Sequence, residues 1–494
     1  MGEYNTLIYE ALNMSVKYCL GKPREHCGVI GVYSPDKSIQ VSRYAFDGLI
    51  ALQHRGQESA GIYVQNGKGI TGHKDMGLAS TVFTKKILST LYGNKAIAHV
   101  RYSTTSDSNI ENAQPKKFVS TLGSYAIAFN GTITNFLKLR SMLEEKGHVF
   151  HTDSDTETIA HVLAANLLET DDYTQAIFKS MNELKGSYSM VILNEKGDLY
   201  AVRDPLGFKP LCIGQINNIY MVASETAAIE SLNGTVLGDV APGEVIRITD
   251  SGPVKEGAIK AERHARCMFE YVYFSRTDSR FDGISIYRVR ERLGKILAQI
   301  HPVEADIIVP VPDSGRTAAA GLAAESGIPM VEGLIKNRYV WRTFIMPVQA
   351  EREDQVKLKL NPVRELISGR DVVLVDDSIV RATTMKRIVC LIRNAGANKV
   401  HVRVSCPPII APCYMGIDFP TSRELIAANQ TIEEIRKFIG ADSLGYMTID
   451  GLMEGIGLPE NELCLACLNK KYPIETVDTD FLEKYLGGPK RVED

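Results

Sequence analysis

Two acidic residues stand side by side at the end of an apolar run, and a hydroxyl-rich turn follows them. The run 372–384 reads VVLVDDSIVRATT and contains Asp376, Asp377, Ser378, Thr383 and Thr384. Ligands of open parallel sheets bind outside the carboxyl ends of the strands, and N–H groups at a helix start bind phosphate, to which hydroxyls add donors. The two carboxylates would repel a phosphate, so we expect them to contact a sugar diol and, directly or through water, Mg²⁺. A bare acidic pair is more often a solvated helix cap, but the whole pattern predicts a sugar-phosphate site.

The same run resembles the motif that binds 5-phosphoribosyl-1-pyrophosphate (PRPP) in type I phosphoribosyltransferases. The resemblance implies that the five residues named above bind PRPP, and that Asp376 and Asp377 also hold Mg²⁺. Ala382 departs from the pattern, because amidotransferases with this motif usually have glycine there. If this position needs a positive φ, alanine costs roughly 1 kcal/mol.

A second strand end, IIVPVPDSGRTAAAG, carries Asp313, Ser314 and Gly315 in the turn before a predicted helix. Taken alone, it would be an ordinary capped turn between a strand and a helix. It resembles the loop that meets pyrophosphate and Mg²⁺ in the same family. The resemblance implies that Asp313 binds PRPP and that Ser314 is a ligand of the metal.

The segment KNRYVWRTFIMPVQ (336–349) resembles the family's flap over PRPP. Within it, Arg342 can fork onto phosphate oxygens, whereas Lys336 supplies a point charge. Trp341 departs from the usual glycine, and the acidic stretch AEREDQ follows. These departures concern the closure of the flap more than the reaction.

Cys27 begins the run CGVIGVY, and several polar or glycine-rich segments follow it in order. A lone cysteine here would usually be a small hydrophobic residue that starts a strand. The later segments are HRGQESAGI (54–62), HVRYST (99–104), FNGTITN (129–135), TDSDTE (152–157) and RDPLGFKPL (203–211). Together they resemble the class II glutamine amidotransferase domain, an N-terminal-nucleophile hydrolase fold, over about residues 27–250.

The chemistry expected at Cys27 is attack of its thiolate on the carboxamide of glutamine. A base must take the thiol proton, and the α-amino group of Cys27, with an ordinary pKa of about 7.7 to 8.0, can do so if Cys27 is the first residue of the mature chain. Residues 1–26 would then be a propeptide that is removed by cleavage after His26.

The same resemblance assigns roles to four further residues. It implies that Asn130 and Gly131 form an oxyanion hole, which stabilises the tetrahedral intermediate. It also implies that Arg101 holds the carboxylate of the substrate and that Asp155 holds its α-ammonium. Such charge-assisted contacts would select glutamine over simple amides.

The order of the two patterns resembles the glutamine phosphoribosylpyrophosphate amidotransferase family over almost the whole chain. The resemblance implies that glutamine, PRPP and water give 5-phosphoribosylamine, glutamate and pyrophosphate, the first committed step of purine synthesis, and that ammonia passes internally between the sites. It also implies feedback inhibition by purine nucleotides and a homotetramer.

Three other interpretations stay open. Glucosamine-6-phosphate synthase shares the N-terminal domain, but its sugar-phosphate domains would not contain VVLVDDSIVRATT. A regulator that binds PRPP and DNA could use that motif, but it would leave Cys27 and Asn130 without a purpose and the chain has no basic excess. A catalytically impaired PRPP-binding relative is harder to dismiss because of Trp341 and Ala382.

Four of the nine cysteines occupy positions at which a subset of these amidotransferases binds a [4Fe-4S] cluster. They are Cys267, Cys413 and the CLAC pair, Cys464 and Cys467. Four thiolates suit structural zinc as well, so the spacing alone leaves both metals open. The packing residues expected among the others are Cys19, Cys212, Cys390 and Cys406.

The elements that must position these residues follow two patterns. Up to about residue 250, short apolar strands such as YAIAFN and YSMVIL predict an antiparallel α+β domain, which the resemblance makes two stacked sheets between helices. From about residue 280, strands alternate with amphipathic helices, which predicts an α/β domain with a parallel sheet. The polar stretch at about 250–265 indicates the boundary. We therefore expect an amidotransferase domain at 27–255 and a phosphoribosyltransferase domain at 265–494.

The length and composition fit this organisation. A chain of 494 residues is too long for one ordinary core, and 44% hydrophobic and 23% charged residues are globular averages. A net charge of -3 offers no basic field for nucleic acid, and no apolar run has the roughly 18 residues that span a bilayer. The scattered cysteines do not form a secreted disulfide framework. We expect a cytoplasmic enzyme with no nucleic-acid or membrane partner.

Overall fold

The structure is a computed structural model that describes residues 27–102, 109–120, 123–337, 360–419 and 421–474. Contacts divide the chain into two compact units. Of the described residues, the first unit contains those within 27–286, 412–421 and 458–474, and the second contains those within 287–411 and 422–457. Both units are discontinuous along the chain, whereas the domain ranges expected from the sequence are continuous. Those ranges stay a prediction.

The first unit consists mainly of β-strands. They are β1 (Gly28–Tyr33), β2 (Ser59–Gln65), β3 (Ile70–Met76), β4 (Lys95–Arg101), β5 (Lys116–Ser120), β6 (Gly123–Ile133), β7 (Gly186–Asn194), β8 (Leu199–Arg203), β9 (Cys212–Ile216), β10 (Ile219–Ala223), β11 (Thr235–Asp239), β12 (Glu244–Thr249), β13 (Gly252–Ala258), β14 (Arg266–Cys267), β15 (Arg280–Phe281) and β16 (Ile284–Ser285). Its helices are α1 (Ser42–Ala51), α2 (Ala79–Val82), α3 (Lys85–Thr90), α4 (Phe136–Glu145), α5 (Asp155–Thr170), α6 (Tyr173–Glu183), α7 (Thr226–Glu230) and a π-helix at Glu270–Phe274.

Two antiparallel sheets form the centre of this unit, in the orders β11-β9-β10-β1-β4-β2-β3 and β13-β12-β8-β7-β6-β5. Between them, Val29 of β1 packs in one apolar cluster with Ala126 of β6 and Val191 of β7. Helices cover the outer faces, where Leu49 of α1 and Leu163 of α5 join separate cores. Strands that are buried on both faces can be apolar almost throughout, as β1 is. The layers confirm the predicted two stacked sheets between helices.

The second unit alternates strands with helices. Its strands are β17 (Ile307–Pro310), β18 (Leu334–Lys336), β19 (Leu360–Pro362), β20 (Asp371–Asp376), β21 (Lys399–Val404) and β22 (Ser443–Tyr446). Its helices are α8 (Ile286–Ile300), α9 (Arg316–Ser326), α10 (Arg364–Ile367), α11 (Thr383–Asn394), α12 (Ile426–Asn429), α13 (Ile432–Ile439) and α14 (Ile449–Ile456), with a 3₁₀ turn at Ser422–Glu424. Strands β17, β20, β21 and β22 pair in parallel in that order, which confirms the predicted parallel sheet.

The chain then adds a short return to the first unit. A 3₁₀ turn at Glu460–Glu462 leads to β23 (Leu463–Cys464) and α15 (Ala466–Asn469), and β23 pairs in parallel with β14. Across the residues that the structure describes, no helix combines the length and the apolar character needed to cross a membrane.

Two local features differ from the sequence-based expectations. The polar stretch 250–265 contains β13, which pairs with β12 at the edge of its sheet. An edge strand with an exposed side tolerates polar residues, so composition gave no sign of it. Cys390, expected to pack, is exposed on α11, whereas Cys212 and Cys406 are buried as expected. Cys19 lies outside the described residues.

Candidate active site

Cys27 lies directly before β1, the strand that pairs with β4 on one side and β10 on the other. Its Sγ donates to the backbone carbonyl of Tyr102, with 3.6 Å between sulfur and oxygen. Burial raises the pKa of this thiol, against the opposing charge of Arg101. The thiol is therefore protonated at neutral pH, and any attack by it needs a base.

Arg101 and Asp155 lie close enough to Cys27 for both charges to act on the thiol. Arg101 is the buried last residue of β4, and Asp155 is the buried first residue of α5. The Asp155 carboxylate accepts a hydrogen bond from the N–H of Ile133 at 3.3 Å. Burial raises the pKa of Asp155 to about 6. The structure thus brings the two residues expected to bind glutamine to the candidate nucleophile.

Asn130 and Gly131 are neighbours in β6. A Cβ on Gly131 would lie 1.9 Å from the carbonyl oxygen of Ser187, so only glycine fits. The Asn130 side chain is 1% exposed, and neither its Oδ1 nor its Nδ2 has a hydrogen-bond partner among the described residues. A buried polar group without a partner costs about 1 to 3 kcal/mol. This amide is available to a ligand.

His99 joins β4 to β6 immediately before Asn130. Its Nε2 lies 3.0 Å from the carbonyl oxygen of Phe129 and must carry the proton of that hydrogen bond. Burial lowers the pKa of His99 to about 3, so the ring is neutral. His99 begins the segment HVRYST, but no role was predicted for it.

A buried charged network next to Cys27 was also missed. Arg55 donates through Nε to the carbonyl oxygen of Cys27 at 3.2 Å and also pairs with Glu225 and Glu270. A signal for it exists in the sequence, because Glu270 is the only charge in the apolar run MFEYVYF. A charge in such a run must be paired when it is buried.

The acidic pair of the second unit lies at the end of β20, as predicted. Asp376 and Asp377 are buried, and Asp377 accepts hydrogen bonds from the hydroxyls of Ser314 and Ser378, the latter at 2.6 Å. Ser314 lies in the turn before α9, whose N-terminal cap is Gly315. The turns after β17 and β20 therefore meet at this edge of the sheet.

Helix α11 begins at Thr383, and Thr384 follows. Ala382, which precedes it, has φ 58° and ψ -8°, a left-handed conformation. Ala382 therefore has the positive φ at which alanine is less stable than glycine. In glycine this conformation carries no such penalty.

Lys336 and Asp313 lie together at the exposed side of this site. The Lys336 Nζ is 2.8 Å from the Asp313 carboxylate, and Arg316 lies 3.8 Å from the same side chain. Of the flap residues, Arg342 and Trp341 lie outside the described part of the chain.

The four predicted metal-binding cysteines lie in three separate segments of the first unit. Cys267 of β14 faces Cys464 of β23 in the parallel pairing, and Cys464 packs with Cys413, Tyr414 and Tyr472 in one apolar cluster. Cys467 follows in α15, close enough for its charge to act on Tyr472. Burial raises the pKa of Cys267 to about 11. Within the described ranges, no three His, Cys, Asp or Glu side chains are grouped as ligands of one metal ion.

Comparison with known proteins assigns both units. The sequence model of a glutamine amidotransferase domain matches residues 99–231, and that of a phosphoribosyl transferase domain matches residues 284–412. The amidophosphoribosyltransferase of Methanocaldococcus jannaschii is 50% identical over 476 residues, which cover 93% of this chain and 99% of the relative. That of Bacillus subtilis is 46% identical and covers 91% of this chain and 94% of the relative. The chain belongs to the amidophosphoribosyltransferase family.

Solved structures of the family agree with this membership. The glutamine PRPP amidotransferase of B. subtilis, complexed with ADP and GMP, superimposes with a TM-score of 0.85 at 45% identity and covers 91% of this chain and 98% of its own. The allosteric regulatory enzyme of purine biosynthesis gives a TM-score of 0.86 at 44% identity, with 93% and 99% covered. As an amidophosphoribosyltransferase, the chain is a glutamine-dependent enzyme of purine biosynthesis that uses PRPP. The relatives give no support to an impaired PRPP-binding regulator.

Proposed function

We propose that Cys27 releases ammonia from glutamine and that the residues at the ends of β17 and β20 direct this ammonia onto PRPP, giving 5-phosphoribosylamine, glutamate and pyrophosphate. One observation carries the proposal. The buried Asn130 amide has no partner among the described residues, lies beside the obligatory Gly131, and shares its strand with the carbonyl of Phe129 that His99 binds. Such an amide suits a transient oxyanion.

In the first half-reaction, the α-amine of a terminal Cys27 takes the thiol proton and the sulfur attacks the carboxamide carbon. The carbonyl oxygen becomes an oxyanion that Asn130 and Gly131 stabilise. Collapse expels ammonia, which leaves with the proton, and water then releases glutamate from the thioester. This sequence needs an α-amine, so residues 1–26 must be removed as a propeptide between His26 and Cys27.

Selection of glutamine rests on two buried charges. Arg101 binds the α-carboxylate and Asp155 the α-ammonium, and both lie near the sulfur. Because burial raises the pKa of Asp155 to about 6, the carboxylate is charged at neutral pH but has lost hydration. An ammonium that enters the site restores the missing stabilisation.

In the second half-reaction, Thr383 and Thr384 at the start of α11, with Ser378, bind the 5-phosphate of PRPP, while Asp376 and Asp377 face its ribose. Lys336, Asp313 and Arg342 contact the pyrophosphate side. The carboxylates of Asp376 and Asp377 and the hydroxyl of Ser314 are hard oxygen donors and suit Mg²⁺. Bound there, Mg²⁺ would neutralise charge on the leaving pyrophosphate.

Cys413, which is half-buried, and the buried Cys267, Cys464 and Cys467 suit a structural [4Fe-4S] cluster. Buried thiols in apolar surroundings stay protonated unless a metal binds them, and burial raises the pKa of Cys267 to about 11. A single zinc ion needs all its ligands within one small tetrahedron, whereas a cuboidal cluster spreads four thiolates over four irons. Anaerobically purified protein should contain about four irons per chain; colourless, zinc-loaded active enzyme would contradict this.

The test of the two-site reaction is Cys27→Ser, with Cys390→Ser on the exposed face of α11 as the matched control. Synthesis from PRPP with glutamine should fall at least about 1,000-fold, because the nucleophile is lost. Synthesis with free ammonia should stay within about twofold, because the second site needs only NH₃. Equal loss of both activities in a folded variant would contradict the proposal. The intact mass of the active enzyme should correspond to a chain that begins at Cys27.

Regulation and assembly extend the proposal. The B. subtilis enzyme was solved with ADP and GMP, so we propose that purine nucleotides inhibit this chain as well. Inhibition of PRPP-dependent synthesis by either nucleotide tests this. A homotetramer and a cytoplasmic location remain predictions, which sedimentation and fractionation would check.

A further inference from the structure

Charged side chains form a buried network beside Cys27 that no step of the proposed glutamine hydrolysis uses. Arg55, Glu225 and Glu270 have exposed side-chain fractions of 1%, 1% and 0%, and His54 joins them at 27%. The desolvation of buried ions costs several kcal/mol each and is offset only when they are well paired. Each charge in the network therefore needs partners that compensate it.

All three nitrogens of the Arg55 guanidinium donate hydrogen bonds. Its two terminal nitrogens donate to Glu270 at 3.0 and 2.8 Å, and one of them also donates to Glu225 at 2.6 Å. Its Nε donates to the backbone carbonyl of Cys27 at 3.2 Å. Two carboxylates thus fix the plane of the guanidinium, and the third side holds the nucleophile's own backbone.

The two carboxylates are fixed in turn by neighbouring groups. Glu270 accepts from the hydroxyl of Ser275 at 2.9 Å. Glu225 is contacted by the backbone N–H of Arg276 at 2.8 Å, the hydroxyl of Ser279 at 2.7 Å and Nε2 of His54 at 2.8 Å. Arg55 therefore has no freedom to follow a displaced Cys27.

The network does not activate the sulfur by charge. Its two carboxylates outweigh its one guanidinium, so it carries no net positive charge while His54 is neutral. The largest electrostatic influences on the thiol come instead from Arg101, Asp155 and Glu58. The contact with Cys27 therefore acts through geometry.

We propose that Arg55, held by Glu225 and Glu270, is a positioning residue that fixes the carbonyl of Cys27 and so aims its sulfur and α-amine at glutamine. This rests on the proposed function in one respect, since it takes Cys27 as the N-terminal nucleophile. A terminal Cys27 is held at its carboxyl side through its carbonyl and through Gly28 in β1, and the long contact of its sulfur with Tyr102, at 3.6 Å, does not fix the rest of the residue. Fixing the carbonyl restricts rotation about the Cα–C bond, which places both reacting groups.

The test compares Arg55→Lys with Arg43→Lys, an arginine in the exposed pair with Asp47. Lysine keeps the charge of Arg55 but cannot hold three partners. We expect the glutamine-dependent kcat of Arg55→Lys to fall about 30- to 100-fold, since a misplacement of about 1 Å costs that much. The KM for glutamine should stay within about threefold, and ammonia-dependent synthesis should be unchanged. Glu270→Gln, which weakens one support only, should lose about tenfold.

Two labelling reactions separate positioning from activation. Iodoacetamide, which needs no binding site, should alkylate Cys27 in Arg55→Lys at the wild-type rate, as followed by mass spectrometry. The glutamine-shaped electrophile 6-diazo-5-oxo-L-norleucine should label it 30- to 100-fold more slowly. A wild-type kcat, an equal fall in iodoacetamide reactivity, or a loss of ammonia-dependent synthesis would each overturn the proposal. Failure of wild-type enzyme to be labelled at Cys27 would instead refute the proposed function itself.

Discussion

The two candidate sites hold their polar side chains in different ways. In the first unit, Asn130 is buried with no partner among the described residues, and burial raises the pKa of Asp155 to about 6. In the second unit, Asp377 already accepts hydroxyl hydrogen bonds from Ser314 and Ser378, and Asp313 lies beside Lys336. The first site therefore holds buried polar groups that are incompletely hydrogen-bonded or hydrated. In the second site, the polar groups form hydrogen bonds and ion pairs with one another.

The two sites must therefore bind their ligands in different ways. Fixed, unsolvated groups on β4, β6 and α5 need no rearrangement when charge develops on a substrate, so each of them should matter strongly and separately. Groups paired with one another must exchange hydrogen bonds when PRPP enters. Their substitution should therefore produce smaller and more graded losses.

Asn130→Ala should cause the greatest loss of activity among the variants of the two sites that retain Cys27. Removal of one oxyanion donor costs about 100- to 1,000-fold in kcat, so glutamine hydrolysis should fall by that factor while ammonia-dependent synthesis is spared. Because the buried amide has no partner among the described residues, its removal should not lower thermal stability. Asn182→Ala, on the exposed side of α6, serves as the control. A loss below threefold would refute the oxyanion role.

The double variant Asp376→Asn with Asp377→Asn probes the second site. Because the acidic pair gives up internal hydrogen bonds when it binds ribose and Mg²⁺, its net contribution should be about 2 kcal/mol, that of one charge-assisted contact, so kcat/KM for PRPP should fall roughly 30-fold, with basal glutaminase turnover retained. Asp371→Asn at the opposite end of β20 should leave PRPP kinetics unchanged. Unaltered PRPP kinetics in the double variant would make the acidic pair a simple solvated cap.

A pH profile gives an effect of about tenfold at the first site. Burial raises the pKa of Asp155 to about 6, so as the pH falls through 6 the carboxylate gains a proton and loses its attraction for the substrate ammonium. An α-amine ordinarily titrates at about 7.7 to 8.0, and the proposed terminal Cys27 would carry one. The slope of log kcat/KM for glutamine against pH should therefore steepen from about one to about two below pH 6.

Asp155→Asn supplies the control for that profile. It removes the carboxylate, so its lower overall activity should keep a slope of about one down to pH 5. For folding, the sign is opposite: a raised carboxyl pKa favours the folded state below 3.8 and loses that stabilisation as the pH rises through 6. An unchanged break near pH 6 in the variant would assign it to another group.

Sequence reasoning reached the residues that end apolar strands or begin helices. Asp376 follows VVLV, and Asp155 follows Ser154, a helix cap that the segment TDSDTE displays. Local pattern suffices there, because strand burial and capping are set by neighbours in the chain. The antiparallel strands of the first unit and the parallel sheet of the second follow from the same kind of signal, whereas the stacking of two sheets between helices was implied by the resemblance.

Contacts between distant segments were beyond that reasoning. Arg55 meets Glu270 across 215 positions of the chain, and no spacing rule connects them. The sequence GPVKEGA of β13 has weak strand propensity, so it was predicted to belong to a domain boundary. It is nevertheless a strand, because pairing with β12 outweighs that weak propensity. The sequence signal for the network around Arg55 was Glu270, a charged residue within an apolar run.

The smallest effect concerns Ala382, which combines a left-handed backbone with a buried side chain, φ 58° and 2% exposed. Ala382→Gly removes steric strain of roughly 1 kcal/mol, partly offset by the greater freedom of glycine in the unfolded chain. The melting temperature of the transition that involves the second unit should rise by about 1 to 3 °C. The matched control is Ala395→Gly at the other end of α11, where φ is -80°; there glycine relieves no strain and should lower stability by about 1 kcal/mol. Equal shifts in melting temperature, of the same sign, in the two variants would show that the turn before Thr383 is not strained. Alanine at position 382 would then have no energetic consequence for the phosphate-binding turn compared with glycine.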